Sequence, residues 1–78
     1  MEEKIIQIVY EECGDERILE DKKVDLIEND LIDSLAFIDI ISKLEEEFGI
    51  EIQPTEETID SWRSIESIVN MVKRKLGE

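Results

Sequence analysis

One serine carries most of the chemical interest of this chain. Ser34 lies between Asp33 and Leu35, near the start of the amphipathic stretch DLIDSLAFIDIISKLEEEFGIEI, residues 30–52. A serine hydroxyl is a weak nucleophile unless a neighbouring base removes its proton, and the chain contains no histidine and no glycine elbow around Ser34. The residues therefore argue against an intrinsic hydrolase. They leave two roles for Ser34: a helix cap, or a hydroxyl that another enzyme modifies.

Both roles suit a position at the start of a helix. Either Asp33 or Ser34 can cap the helix that follows, because a side-chain oxygen of each residue can accept a hydrogen bond from a free N–H group. The same N–H groups and the positive end of the helix dipole tolerate an attached phosphate. Composition alone favours the cap, because serine is a preferred cap in helices of every kind.

Three segments place apolar residues at helical spacing and predict three main helices. Glycine tolerates the left-handed conformation past a helix end, so Gly14 and Gly49 are expected to end the first two, and Ser64 is expected to start the third. The apolar stripes are Ile5, Ile6, Val9 and Cys13; Phe37, Ile41, Leu44 and Phe48; and Ile65, Ile68, Val69, Val72 and Leu76.

The remaining segments predict connections. Residues 15–32 show no clean helical face and are expected to form a long loop with scattered apolar anchors. Pro54 blocks helix continuation, and a short helical turn is expected around Glu56 to Asp60. The sequence thus predicts an all-α fold in a single domain, residues 1–78. It is a small four-helix bundle, with three main helices, one short helix and a long loop between the first and second helices.

Charge and composition narrow the functional classes. The chain has 22 acidic and 9 basic residues, a net charge of −13, which repels nucleic acid and attracts basic protein surfaces. No segment is long and apolar enough to span a membrane, and the N-terminus lacks the pattern of a signal peptide. Cys13 is the single cysteine, expected to be a small core residue. A soluble, cytoplasmic, monomeric protein without a metal site is expected.

The residues around Ser34 and the helix that follows resemble those of a known protein family. The DSL tripeptide, the phase of the helix that follows, its ending LEEEFGIEI and the small acidic helical context together resemble the acyl carrier proteins, from the long loop through the last helix. The resemblance implies that a phosphopantetheinyl transferase attaches a 4′-phosphopantetheine arm from coenzyme A to Ser34. The arm's thiol then carries an acyl or aminoacyl group as a thioester, and the protein itself is not an enzyme.

Two features are more similar to the D-alanyl carrier proteins than to carriers of fatty acids. An apolar pair precedes Asp33-Ser34, in the segment NDLIDSL, where the fatty-acid type commonly has a glycine-containing lead-in. Trp62 follows Phe48 by 14 residues, a similar distance to that in the D-alanyl type. A role in fatty acid or lipid biosynthesis stays open for the cargo, and a core anchor stays open for Trp62.

The resemblance also implies which residues meet the arm and the partner enzymes. Asp33 and Leu35 flank the attachment serine. Between residues 30 and 51 seven acids accompany one base, Lys43, so this acidic helix can dock on basic partner surfaces of the transferase, an activating ligase and an acyl acceptor. The residues of the carrier expected to dock on partners are Asp39, Glu45, Glu46, Phe37 and Ile38.

The alternative to a carrier is an acidic helical interaction module in which Ser34 is only a cap.

Overall fold

The computed structural model describes residues 2–53 and 59–77. Within those residues the chain forms four α-helices and one 3-10 helix and has no β-strand, so the all-α prediction is confirmed. The elements, in chain order, are α1, Glu2–Cys13; α2, Arg17–Glu20; α3, Ser34–Phe48; the 3-10 helix Ile59–Trp62; and α4, Ile65–Lys75.

The helix ends follow the predicted chemistry. Gly14 has a φ of 70°, and its N–H donates to the carbonyl of Tyr10 at 2.7 Å, which closes α1. Gly49 ends α3 with a φ of 63°, a left-handed conformation that glycine adopts without a Cβ clash. Ser64 caps α4, because its hydroxyl accepts a hydrogen bond from the N–H of Ser67 at 3.1 Å.

Two elements of the structure differ from the sequence prediction. The segment 15–32, expected to lack a helix, contains the single turn α2, because Asp15 accepts a hydrogen bond from the backbone N–H of Arg17 at 2.9 Å and starts that turn. The short helical turn expected around 56–60 corresponds in part to the 3-10 helix, which begins at Ile59; residues 54–58 lie outside the described residues.

The core is built from one face of each long helix and from the loop. α1 packs against α3 and α4, and the 3-10 helix packs against the start of α4. Two residues differ from the predicted apolar stripes. Leu76, predicted to be in the core, is 40% exposed because it follows the end of α4, and Ile8, which the predicted stripe omitted, is buried. The fully buried side chains are Ile5, Val9, Ile18, Leu26, Ile40, Leu44, Ile65, Ile68, Met71 and Val72.

The long loop between α1 and α3 is anchored rather than free. Ile18 and Leu26 are fully buried in the core. The N–H of Leu26 donates to the carbonyl of Arg63 at 2.6 Å, and the N–H of Glu66 donates to the carbonyl of Lys22 at 3.1 Å. These bonds attach the loop to the start of α4. No helix among the described residues is long and apolar enough to cross a membrane.

Two isoleucines on α3 give a matched test of this packing. Ile40 is fully buried, whereas Ile38 is 59% exposed. We expect Ile40→Ala to lower the free energy of unfolding by about 2–4 kcal/mol, because it removes buried methyl groups and leaves a cavity. Ile38→Ala should change it by less than about 0.5 kcal/mol. Urea denaturation measures both, and equal losses in the two variants would contradict the assigned core face.

Candidate functional site

The start of α3 is capped by Asp33, not by Ser34. The Oδ1 atom of Asp33 accepts a hydrogen bond from the N–H of Ala36 at 2.8 Å, and its backbone is extended, as a cap requires. Ser34 is the first residue of the helix, and its side chain is exposed. Asp33 is therefore the cap of α3, and the hydroxyl of Ser34 has no hydrogen-bond partner among the described residues.

The backbone beside Ser34 suits a phosphate group. The N–H groups of Ser34 and Leu35 have no hydrogen-bond partner within residues 2–53 and 59–77, whereas those of Ala36 and Phe37 bond to Asp33. They lie at the positive end of the dipole of a helix of 15 residues. Free N–H groups at such an end bind anions, so the residues present fit an exposed phosphodiester on Ser34.

The apolar residues near Ser34 separate into an outer pair and an inner pair. Leu35 and Ile38 are 76% and 59% exposed and form the outer pair. Ile41 is buried in the core. Phe37 is partly buried and meets Trp62 edge to face, with ring centroids 4.9 Å apart. Leu35 and Ile38 are therefore open to an arm or a partner, and Phe37 and Ile41 serve mainly the interior.

Trp62 is a core anchor. Its side chain is only 3% exposed, and its ring covers Phe37, three residues along α3 from Ser34. An edge-to-face aromatic pair contributes roughly 0.5–1.5 kcal/mol beyond the burial of its area. The pair therefore fixes the first turn of α3 against the 3-10 helix.

The acidic residues of α3 also differ in their surroundings. Asp39 and Glu46 are exposed. Glu45 is partly buried, and its Oε2 atom accepts a hydrogen bond from the backbone N–H of Ile52 at 2.9 Å. Its carboxylate therefore has a structural task after the end of α3, whereas Asp39 and Glu46 lie open to solvent.

The single base of α3 is engaged by an acid of α1. Lys43 forms an ion pair with Glu12, and this hydrogen bond is the main reason that the pKa of Lys43 is raised. Sequence reasoning missed Glu12, since 31 residues separate it from Lys43 and no local pattern signals the pair. With Lys43 directed to α1, the exposed face of α3 keeps its acidic character.

Cys13 packs against the core, as predicted from the sequence. Its burial, and secondarily the negative charges of Asp33, Glu12 and Asp15, raises its pKa to about 11. The Cys13 thiol is therefore less reactive than an exposed cysteine thiol, because the thiolate is the reactive form.

Comparisons with known proteins identify the family of the chain. The sequence profile of the family described as "Phosphopantetheine attachment site" matches residues 3–72. The chain belongs to the phosphopantetheine-attachment family. This carrier is 33% identical to the D-alanyl carrier protein of Abiotrophia defectiva, over 99% of its own length and 98% of that protein. It is 32% identical to that of Lactococcus lactis subsp. cremoris, over 100% and 99% of the two chains, and 26% identical to that of Bacillus subtilis, over 90% of each.

Membership of this family explains how the site can act without catalytic residues of its own. The protein is a carrier that bears a covalent 4′-phosphopantetheine arm and holds an acyl or aminoacyl group on it, and partner enzymes perform the chemistry. The arm supplies the thiol that holds the cargo. The resemblance to acyl carrier proteins drawn from the DSL tripeptide and the acidic helix is confirmed.

Substitutions at the first turn of α3 test which residue is the cap. We expect Asp33→Ala to lower the free energy of unfolding by about 1 kcal/mol, because the N–H of Ala36 loses its acceptor. Asp33→Asn should recover most of this loss, since asparagine caps about as well as aspartate. Ser34→Ala should change stability by less than about 0.5 kcal/mol. Chemical denaturation decides, and a larger loss in Ser34→Ala than in Asp33→Ala would make Ser34 the cap.

Proposed function

We propose that Ser34 is the residue that carries the phosphopantetheine arm. Its Oγ attacks the phosphorus of coenzyme A that bears the pantetheine, and the hydroxyl proton passes to a base of the transferase. The P–O bond to the second phosphate breaks, and adenosine 3′,5′-bisphosphate leaves. The observation that carries the proposal is the Asp33 cap, which leaves the adjacent hydroxyl exposed and unbonded among the described residues.

Two other serines of the described chain are less suited. Ser64 uses its hydroxyl to cap α4. Ser42 is exposed, but it lies in the middle of α3, where the backbone N–H groups are taken up by the helix. Ser34 alone among these three combines an open hydroxyl with free N–H groups beside it.

We propose D-alanine as the cargo, carried as a thioester on the arm. The proposal is supported by relatives that carry the name D-alanyl carrier protein and align with nearly the whole chain. It implies an adenylating ligase that loads D-alanine and an acceptor that takes it. We also propose that the protein acts as a cytoplasmic monomer and as one domain, residues 1–78, not embedded in a membrane and not bound to nucleic acid.

The docking surface that we propose combines apolar and acidic residues around Ser34. Leu35 and Ile38 are its exposed apolar centre, and Asp39 and Glu46 are exposed acids on the same helix. Asp33 adds charge beside the serine. Phe37 and Glu45, which are partly buried, support this surface more than they form it. A basic partner with an apolar recess complements it, and the charge speeds association.

Mass spectrometry after incubation with coenzyme A and a broad-specificity phosphopantetheinyl transferase tests the attachment residue. We expect the wild-type chain and Ser42→Ala to gain the mass of one phosphopantetheine group, because both keep the hydroxyl of Ser34. Ser34→Ala should gain none. A gain in Ser34→Ala, or no gain in the wild type while the same transferase modifies another carrier, would overturn the proposal.

Loading of the modified protein tests the cargo and the docking surface together. In the presence of ATP, we expect a D-alanine-activating ligase to load the modified protein and a ligase that activates fatty acids not to load it. Asp39→Lys should lower kcat/KM of the ligase about tenfold at low salt, since it removes attraction to a basic partner. The control is Glu3→Lys, the same charge reversal on an exposed residue of α1.

These outcomes separate the two parts of the proposal. Loading by the fatty-acid ligase and not by the D-alanine ligase would replace the cargo and leave the carrier role intact. An equal loss in Asp39→Lys and Glu3→Lys would show that only the overall charge matters, and the docking surface would then be wrong.

A further inference from the structure

The segment that leads into Ser34 is held from across the chain by Arg63. The guanidinium Nη1 of Arg63 donates to Asp25 Oδ2 at 3.1 Å, and its Nε donates to Asp60 Oδ1 at 3.1 Å. The backbone carbonyl of Arg63 accepts the N–H of Leu26 at 2.6 Å. One residue between the 3-10 helix and α4 thus holds two consecutive residues of the long loop.

Asp25 and Leu26 also accept hydrogen bonds from the turn of residues 25–32, which directly precedes the helix cap. Asp25 Oδ1 accepts the N–H groups of Ile27 and Glu28, at 3.1 and 2.7 Å. The carbonyl of Leu26 accepts the N–H groups of Leu31 and Ile32, at 2.9 and 3.3 Å. The next residues are Asp33, the cap, and Ser34. Hydrogen bonds therefore connect Arg63 to the turn that directly precedes the cap. Its side chain acts through Asp25 on Ile27 and Glu28, and its backbone carbonyl acts through Leu26 on Leu31 and Ile32.

The turn contains a backbone conformation that needs support. Asp30 has a φ of 54°, the left-handed region that residues other than glycine seldom adopt. Aspartate tolerates this region better than most residues, but the surrounding bonds must still favour it. The tie from Arg63 to Asp25 and Leu26 closes the turn on its far side and so helps to hold it.

The ion pair is too exposed to stabilise the whole fold strongly. The side chains of Arg63 and Asp25 are 42% and 26% exposed, and such pairs contribute little to global stability. Local opening of a loop, however, requires much less free energy than global unfolding, so a weak tie affects the loop first. Leu26 remains anchored because its side chain is buried in the core. The backbone carbonyl of residue 63 still accepts the N–H of Leu26 in any side-chain variant of Arg63.

We infer that Arg63 is a positioning residue for the modification of Ser34, acting through Asp25 and the turn of residues 25–32. The inference rests on the proposed attachment at Ser34. A transfer reaction requires the attacking hydroxyl within a narrow range of positions, and a loosened turn before the cap spreads that range. The docking face on α3 does not depend on this tie, so binding of the transferase is largely retained.

The test compares Arg63→Gln with Arg17→Gln in the full chain. Arg17 is the matched control, because two of its nitrogens also donate to carboxylate oxygens, but both oxygens belong to Asp15, only two residues away. With the transferase and coenzyme A, well below the unfolding temperature, we expect Arg63→Gln to lower kcat about threefold to tenfold with little change in KM for the carrier. Arg17→Gln should match the wild type.

Two further variants and hydrogen exchange identify the route. Arg63→Lys keeps the positive charge and should recover part of kcat. Asp25→Asn keeps an acceptor for Ile27 and Glu28 but loses the charge that faces Arg63, so combining it with Arg63→Gln should add little further loss. In Arg63→Gln the amides of Ile27 and Glu28, which donate to Asp25, should exchange faster, while that of Val9 in the core should not.

Each remaining outcome is decisive. Wild-type kcat in Arg63→Gln overturns the inference. A raised KM with unchanged kcat and faster exchange throughout the chain also overturns it, because Arg63 would then act only on the folded fraction. If the wild type is not modified while the transferase modifies another carrier, the proposed function fails instead.

Discussion

The hydrogen bond from the N–H of Ala36 to Asp33 Oδ1 is the interaction on which the site depends. A helix start needs acceptors for its free N–H groups, and a serine there would ordinarily supply one. Because Asp33 does so, the hydroxyl of Ser34 has no task in holding the fold. The first residue of α3 can therefore carry a large group, while the N–H groups of Ser34 and Leu35 remain beside it for a phosphate.

The residues that stabilise the fold are different from the acidic residues that are exposed on α3. The apolar faces of α1, α3 and α4 close the core, and Trp62 fixes Phe37 against the 3-10 helix. A net charge of −13 disfavours the compact state through self-repulsion. Ion pairs such as Lys43–Glu12 and Lys22–Glu2 offset part of this repulsion between distant segments, and they leave Asp39 and Glu46 exposed on α3. The exposed face of α3 thus stays acidic, whereas its opposite face, with Ile40 and Leu44, packs in the core.

The helices and their ends could be predicted from the sequence because their signals are local. The spacing of Phe37, Ile41, Leu44 and Phe48 and the stop at Gly49 correspond directly to α3. The choice between Asp33 and Ser34 as cap could not be predicted, because both residue types accept the same bond. The exposed side of α3 was undecided for a similar reason: Ile38 and Ile40 are chemically identical, and only the position of α1 and α4 makes one exposed and the other buried. Pairs such as Lys43–Glu12 and Arg63–Asp25 join residues far apart in the chain and need the tertiary fold.

The central claim is that the hydroxyl of Ser34 serves attachment and not folding. It is tested most directly by comparing the free energy of unfolding of the wild-type chain before and after the arm is attached, by chemical denaturation at equal ionic strength. Because Asp33 holds the helix start in both forms and the phosphodiester lies at the positive end of the helix dipole, attachment should not lower the free energy of unfolding by more than about 0.5 kcal/mol. A loss of about 1 kcal/mol or more on attachment, the cost of a lost cap, would contradict the account.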